Sequence, residues 1–284
     1  MTVAPADRAV DARLAILVLA AEEMYDAQGP AAIEPILDPR ITANWVLRGY
    51  ITGQDAIFRI LGRWALGEQR VFYGLVLERK DTPGKFAAVI RGTSGAVEWG
   101  EDVEGLPTVA RFPGLVEAGF VGIGDTFSFR PPGGQDMPLI PALRALTTGA
   151  PLAVTGHSLG SALATYLAYD AALVSPGRVS LRVFASPHPG NSTFTAAVAA
   201  AIPDHAHYRN VNDVVPKVPI SLGYAHLPNT IDLEPQTDTL EIKDTWGCSH
   251  HLLSYIALMA PEVLAEAYSP QNQPYLSCIV SRLA

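Results

Sequence analysis

Gly156-His-Ser-Leu-Gly160 sets a serine between two glycines, just after the apolar run Leu152-Ala-Val154 and just before an Ala- and Leu-rich stretch from Ser161. A buried strand followed by a helix makes this a sharp strand-to-helix turn with Ser158 at its tip. The glycines leave room where strand and helix come close. The backbone N–H of Leu159, at the helix N-terminus, is then poised to receive a developing oxyanion. A serine hydroxyl is a weak nucleophile at neutral pH, so it needs a base within hydrogen-bond reach and a carboxylate to orient that base. On an elbow of this kind the partners follow in the order serine, acid, histidine, which removes His157 as base. Asp213 is the best acid, because it sits just past the strand-like His207–Val211 and Pro216 delays any helix. Asp204 precedes that strand and Asp232 lies inside the next one. The base is then His226, His250 or His251. His250 and His251 are adjacent, and neighbouring helical residues diverge by about 100°, so only one of them can face Ser158.

The elements that must position these groups follow from periodicity. Val10, Leu14, Leu17, Val18, Ala21 and Tyr25 fall at helical spacing and predict an amphipathic first helix. Trp45–Tyr50 reads as a short strand and Gln54–Leu66 as a helix. Val71–Glu78 and Phe86–Arg91 read as a hairpin closed by Asp81-Thr-Pro-Gly-Lys85, supplying an antiparallel edge. Val116–Phe129 and Leu139–Thr148 read as helices. Strands at Val179–Phe184, His207–Val211 and Asn229–Leu233 alternate with helices, one of them Phe194–Ala201. The last long helix is His250–Ala267, interrupted at Pro261. This alternation predicts an α/β fold with a mostly parallel central sheet flanked by helices. No repeat or Gly/Ser linker divides the chain, so residues 1–284 read as one domain.

Bulk properties exclude other classes. The 284 residues are 49% hydrophobic and 17% charged, enough to bury a sizeable core. A net charge of −8 argues against a nucleic-acid or anionic-membrane partner. Two cysteines, Cys248 and Cys278, make neither a disulfide scaffold nor a zinc site, though they could form one bridge. No metal or cofactor is expected. The apolar run Leu14–Ala21 is too short to span a bilayer, and the acidic residues around it suit a signal peptide poorly, which predicts a cytoplasmic protein, or a secreted one if a leader has been trimmed.

Further motifs carry a family resemblance. Phe86-Ala-Ala-Val-Ile-Arg-Gly-Thr93 with Trp99 and Asp102, Leu181–Pro187 with Gly190-Asn191, Arg209-Asn-Val-Asn-Asp213-Val-Val-Pro216, Gly223-Tyr-Ala-His226 and Cys248-Ser-His250-His-Leu-Leu-Ser-Tyr255 together resemble the class 3 lipases. That family is the α/β-hydrolase group of fungal-type triacylglycerol lipases. The resemblance implies an α/β-hydrolase fold and a triad of Ser158, Asp213 and His250, with His251 the alternative base and His226 non-catalytic. It adds Thr93 as the second oxyanion donor beside Leu159. The chain departs from the family in three places. Ser161 follows the elbow where glycine is usual, and Glu117 stands before Ala-Gly-Phe where histidine is usual. A lid-like segment of about residues 94–113 is acidic, carrying Glu98, Glu101, Asp102 and Glu104, and it is broken by Gly100, Gly105 and Pro107. The implied activity is serine carboxylester hydrolysis of a small-molecule or lipid ester, with short- to medium-chain acyl groups favoured. Acyl transfer, a true long-chain lipase and a catalytically silent binding module are the alternatives.

Overall fold

The computed structural model describes residues 5–59, 63–92, 106–219 and 223–282. Its frame is a nine-stranded sheet built from β1 (Trp45–Arg59), β2 (Arg63–Arg79), β3 (Phe86–Ile90), β6 (Ser128–Arg130), β7 (Met137–Pro138), β8 (Leu152–His157), β9 (Val179–Phe184), β11 (His205–Asn210) and β13 (Thr230–Leu233). The remaining short strands are β4 (Pro107–Thr108), β5 (Val116–Glu117), β10 (Gly190–Asn191) and β12 (Tyr224–Ala225), which form a small second sheet, and the pair β14 (Leu240–Ile242) and β15 (Ile279–Ser281). Across the large sheet the order is β13-β11-β9-β8-β3-β2-β1-β6-β7. From β3 to β13 every pairing is parallel, and beyond β3 the sheet continues antiparallel. All five residues of β3 are buried, as expected for a strand covered on both faces.

Two apolar layers cover the sheet. On one face lies the helix Leu159–Val174, with the helices Ala118–Gly124, Leu139–Thr147 and Ser192–Ala201 around it. On the other lie the first helix, Pro5–Gln28, and the helix Leu252–Met259. Burying each large side chain in such layers contributes about 1.5–3 kcal/mol, and Phe72, Tyr73, Phe120, Tyr166 and Tyr255 are all essentially inaccessible.

Five expectations are corrected. Gln54–Leu66 is not helical: β1 runs on to Arg59 and pairs antiparallel with β2, with Ala56 opposite Leu66 and Phe58 opposite Trp64. A ladder that long satisfies the backbone across the hairpin and overrides the local pattern. For the same reason the β2–β3 hairpin lies inside the sheet rather than at its edge, since β1, β6 and β7 extend beyond it. Val116–Phe129 splits into β5, a seven-residue helix and the approach to β6. The first helix is not simply amphipathic: Ile16 to Ala21 are all buried because it is covered on both sides, whereas Val10 is exposed. Near the C-terminus the expected helix starts earlier and breaks twice, into Trp246–His250, Leu252–Met259 and a 3₁₀ turn at Pro261–Ala267.

Cys248 and Cys278 form a disulfide that ties the helix Trp246–His250 to the 3₁₀ turn Gln273–Cys278. Disulfides persist in oxidising compartments, so the bridge runs against the expected cytoplasmic location. Among the described residues no helix is long and apolar enough to cross a membrane, and no group of His, Cys, Asp and Glu could hold a metal ion.

Candidate active site

The carboxyl ends of β3, β8, β9 and β11 meet at one edge of the parallel half of the sheet, where α/β folds gather their ligands. Ser158 stands there between β8 and the helix Leu159–Val174, with φ 56° and ψ −131°. A non-glycine residue at positive φ is strained, and such strain collects at functional sites. The two glycines are required by close approach. A Cβ on Gly156 would lie 2.3 Å from the Gly160 carbonyl oxygen, and one on Gly160 would lie 2.3 Å from that of Arg91. Ser161 has its own structural place: its hydroxyl lies 2.7 Å from the carbonyls of both Gly156 and Phe184, joining the elbow to β9.

Ser158, His250 and Asp213 come together from three segments. Ser158 Oγ is 3.1 Å from His250 Nε2, and His250 Nδ1 is 2.8 Å from Asp213 Oδ2. All three are buried. Asp213 follows β11 and takes three further restraints. Its Oδ1 accepts the Val215 N–H at 3.0 Å, its Oδ2 accepts the Tyr255 hydroxyl at 2.7 Å, and its own N–H is held by the Asn210 carbonyl. Tyr255 in turn accepts the Asn210 N–H. Burial, and the Asp213 charge beside it, push the Tyr255 phenol well above its ordinary range, so it stays a donor.

His251 points elsewhere. It caps the helix Leu252–Met259 by accepting the Leu253 N–H at Nδ1, and its ring stacks 3.7 Å from that of Tyr275. Burial lowers its pKa to about 4, helped by the neighbouring His157 and His250 and opposed by Glu22. His226 also lies away from the serine, near His188 and His207, with Arg209 at 3.1 Å from its Nε2. Leu159 opens the elbow helix, where first-turn N–H groups have no intrahelical acceptor. Thr93 lies outside the described residues, as do the acidic positions 98, 101, 102 and 104 of the lid-like segment.

The described end of that segment is anchored. Phe112 is buried against Tyr166 and Phe194, Arg111 pairs with Asp170 and Asp125, and β4 pairs with β5. Leu106 and Val109 remain exposed. Glu117, at the family's usual histidine position, caps the helix Ala118–Gly124 by accepting the Phe120 N–H at 2.6 Å, and burial raises its pKa.

Three residues around the site carry no role that sequence patterns reveal. Tyr255 is visible in the sequence only as the end of a motif. His157, set aside as a base, bonds through Nε2 to the His250 carbonyl and through Nδ1 to Glu22. For Glu22 the available sequence signal is a carboxylate placed directly after the eight apolar residues Leu14–Ala21. A cleft of about 180 Å³ beside His157 and His250 is lined by Tyr25, Arg91, Trp246 and Tyr275.

Residues 87–222 match the family model described as Lipase (class 3). The secreted mono- and diacylglycerol lipase A of Penicillium cyclopium is 35% identical over 95 residues, covering 33% of this chain and 31% of that protein. Phospholipase A1-II 5 of Oryza sativa subsp. japonica is 32% identical over 112 residues, covering 36% of this chain and 24% of that protein. The matched segments therefore span less than a third of either relative. In three dimensions, a crystal structure of a mutant MDLA from Penicillium cyclopium aligns with a TM-score of 0.55 at 20% identity, covering 84% of this chain and 83% of that one. At that identity the likeness shows the α/β-hydrolase fold. Over residues 87–222, just under half of the chain, the sequence is therefore similar to the class 3 lipases, and the structural likeness adds the α/β-hydrolase fold.

Proposed function

We propose that the protein is a cofactor-free serine carboxylester hydrolase in which Ser158, His250 and Asp213 act as a triad. The observation that carries this reading is the unbroken chain of hydrogen bonds from Asp213 through His250 to a strained Ser158. His250 takes the Ser158 proton as Oγ attacks the ester carbonyl. The tetrahedral oxyanion is received by the backbone N–H of Leu159 and by Thr93. His250 then protonates the departing alkoxide, and water, activated by the same histidine, releases the acid from the acyl-enzyme. Asp213 keeps the Nδ1 proton in place, so that Nε2 is the basic nitrogen facing the serine.

The substrate is a soluble or lipid ester with a short- to medium-chain acyl group. The acidic, glycine- and proline-broken sequence of residues 94–107 supports this, because a segment that docks on a lipid interface needs an aligned apolar face. The fungal and rice relatives, described as acting on mono- and diacylglycerol and as a phospholipase, keep glycerol esters in the substrate class. The disulfide, together with the secreted fungal relative, supports an oxidising compartment. Residues 1–284 act as one hydrolase domain.

A panel of p-nitrophenyl esters from acetyl to palmitoyl, run with a fluorophosphonate label, tests the proposal. Ser158-dependent labelling with turnover highest for butyryl to octanoyl esters is expected. Absence of labelling would overturn the hydrolase assignment and favour a silent binding module. A peak at palmitoyl with a jump on emulsification would restore a long-chain lipase.

A further inference from the structure

Glu22 stands on the first helix directly after the buried run Ile16–Ala21, 70 residues before Gly92 and 135 before His157. One of its oxygens, Oε1, meets two partners, the backbone N–H of Gly92 at 2.9 Å and Nδ1 of His157 at 2.9 Å. The other ring nitrogen of His157, Nε2, lies 2.9 Å from the backbone carbonyl of His250. The His157 and His250 rings lie with centroids 4.7 Å apart. Both nitrogens of His157 therefore face oxygen acceptors, which only an imidazolium can satisfy at once. Burial alone would drive His157 toward its neutral form, but the Glu22 carboxylate reverses this and leaves its pKa raised, while that of Glu22 is lowered.

Resting on the hydrolase assignment, we infer that Glu22 is a positioning residue that locks the two halves of the site together. On one side it fixes Gly92, the residue before Thr93, where a Cβ would lie 2.8 Å from Glu22 Oε1 and 3.1 Å from the His157 carbonyl. On the other it fixes His157, which holds the main chain of the base. Neither Glu22 nor His157 exchanges a proton with substrate. Their task is to keep oxyanion donor and base in one register while charge develops between them, since a displacement of about 1 Å can cost 10²-fold in rate. Such a role weighs on the transition state more than on substrate binding, so it belongs to kcat rather than KM.

The adjacent Glu23 supplies the control. It lies on the same helix and is a buried carboxylate, but it bonds to Arg40 and to Asn272 Nδ2. Purified Glu22→Gln and Glu23→Gln are compared with wild type on p-nitrophenyl butyrate, with the thermal midpoint measured for each. Glu22→Gln is expected to lower kcat ten- to a hundred-fold with KM within about twofold. Glu23→Gln is expected to lower the thermal midpoint while kcat stays within twofold of wild type. The double variant Glu22→Gln/His157→Gln should be no slower than the worse single variant, because the two act through one chain of contacts. A folded Glu22→Gln enzyme with wild-type kcat overturns the inference, as does a kcat loss equally large in Glu23→Gln. If Glu22→Gln does not fold, His157→Gln carries the same expectation and the same overturning result. Wild-type protein inert toward the ester overturns the hydrolase assignment and the inference with it, whereas wild-type turnover with an unaffected Glu22→Gln overturns the inference alone.

Discussion

His250 and His251 are neighbours in sequence with opposite duties in the fold. His250 spans Ser158 and Asp213, whereas His251 caps a helix and stacks on Tyr275. The break between the helices Trp246–His250 and Leu252–Met259 is what separates them. If the proposed triad operates, Ser158→Ala and His250→Ala should each lower ester turnover by several orders of magnitude, since members of a triad act as a unit. His251→Ala should cost no more than about tenfold, because it removes a cap and a stacked ring rather than a proton acceptor. Steady-state kinetics on p-nitrophenyl butyrate check this, and the reverse order of His250 and His251 would move the base. At this scale the meeting of Ser158 with Asp213 through one histidine was legible, because an elbow motif and a strand-end Asp are local patterns. Tyr255 and Glu22 were not, since their contacts with Asp213 and His157 span 42 and 135 residues. Spacing along a chain carries no information about contacts that only the packed fold creates.

The elbow itself is the element on which those side chains depend. Its tight crossing rests on three segments touching backbone to backbone: Gly156 against Gly160, and Gly160 against the end of β3 at Arg91. Arg91 is buried, donates from Nε to the Phe72 carbonyl and from Nη1 to the Gly92 carbonyl, and lies 3.4 Å over the Tyr25 ring. Because a new Cβ at Gly160 would strike main chain that cannot rotate away, Gly160→Ala should destabilise by roughly 1–3 kcal/mol. It should also lower turnover by displacing Ser158. Denaturant melts and kinetics on the same preparation check it; an unchanged midpoint would show that the crossing has slack. Elements of this kind were readable where the pattern was strong, as in β8, β9, β11 and the hairpin from Val71 to Arg91. Residues 54–66 misled because a short polar–apolar segment can satisfy either period, and pairing of β1 with β2 decides between them.

For the whole molecule, one covalent tie and a set of desolvated imidazoles weigh on stability. The Cys248–Cys278 bridge closes a loop with a sequence separation of 30 and sits two residues before His250. A loop of that size contributes about 3.6 kcal/mol in the chain-entropy picture. Cys248→Ser/Cys278→Ser should therefore lower the thermal midpoint by several degrees and also weaken turnover, because the helix carrying His250, the proposed base, loses its tether. Scanning calorimetry of the variant beside wild type checks it, and equal midpoints would mean that packing alone holds that segment.

The response to pH follows from the histidines the fold keeps neutral. Burial lowers the pKa of His226 to about 3, with His188 and Arg209 adding to the effect, and lowers that of His251 to about 4. His207 is pushed well below its ordinary value, also mainly by burial, and His188 is lowered. In the unfolded chain each returns to about 6.5. Between the folded and unfolded values the unfolded state binds more protons, so stability rises with pH. The contribution is fully present above about pH 6.5 and drains away as pH falls toward 4 and then 3, at up to about 1.4 kcal/mol per pH unit for each group. His157 acts in the opposite sense. Its raised pKa gives stability that is complete below about pH 6.5 and is lost as pH rises through the folded value. The thermal midpoint should therefore be highest near neutrality, fall steeply between pH 6 and about 4, and decline more gently on the alkaline side. His251→Asn keeps a side-chain acceptor for the Leu253 N–H but cannot titrate, so it should flatten the acid limb while leaving the neutral midpoint nearly unchanged. Fluorescence melts from about pH 4 to 9 read both limbs directly, and an acid limb equally steep in wild type and His251→Asn would remove His251 from the set of groups that govern it.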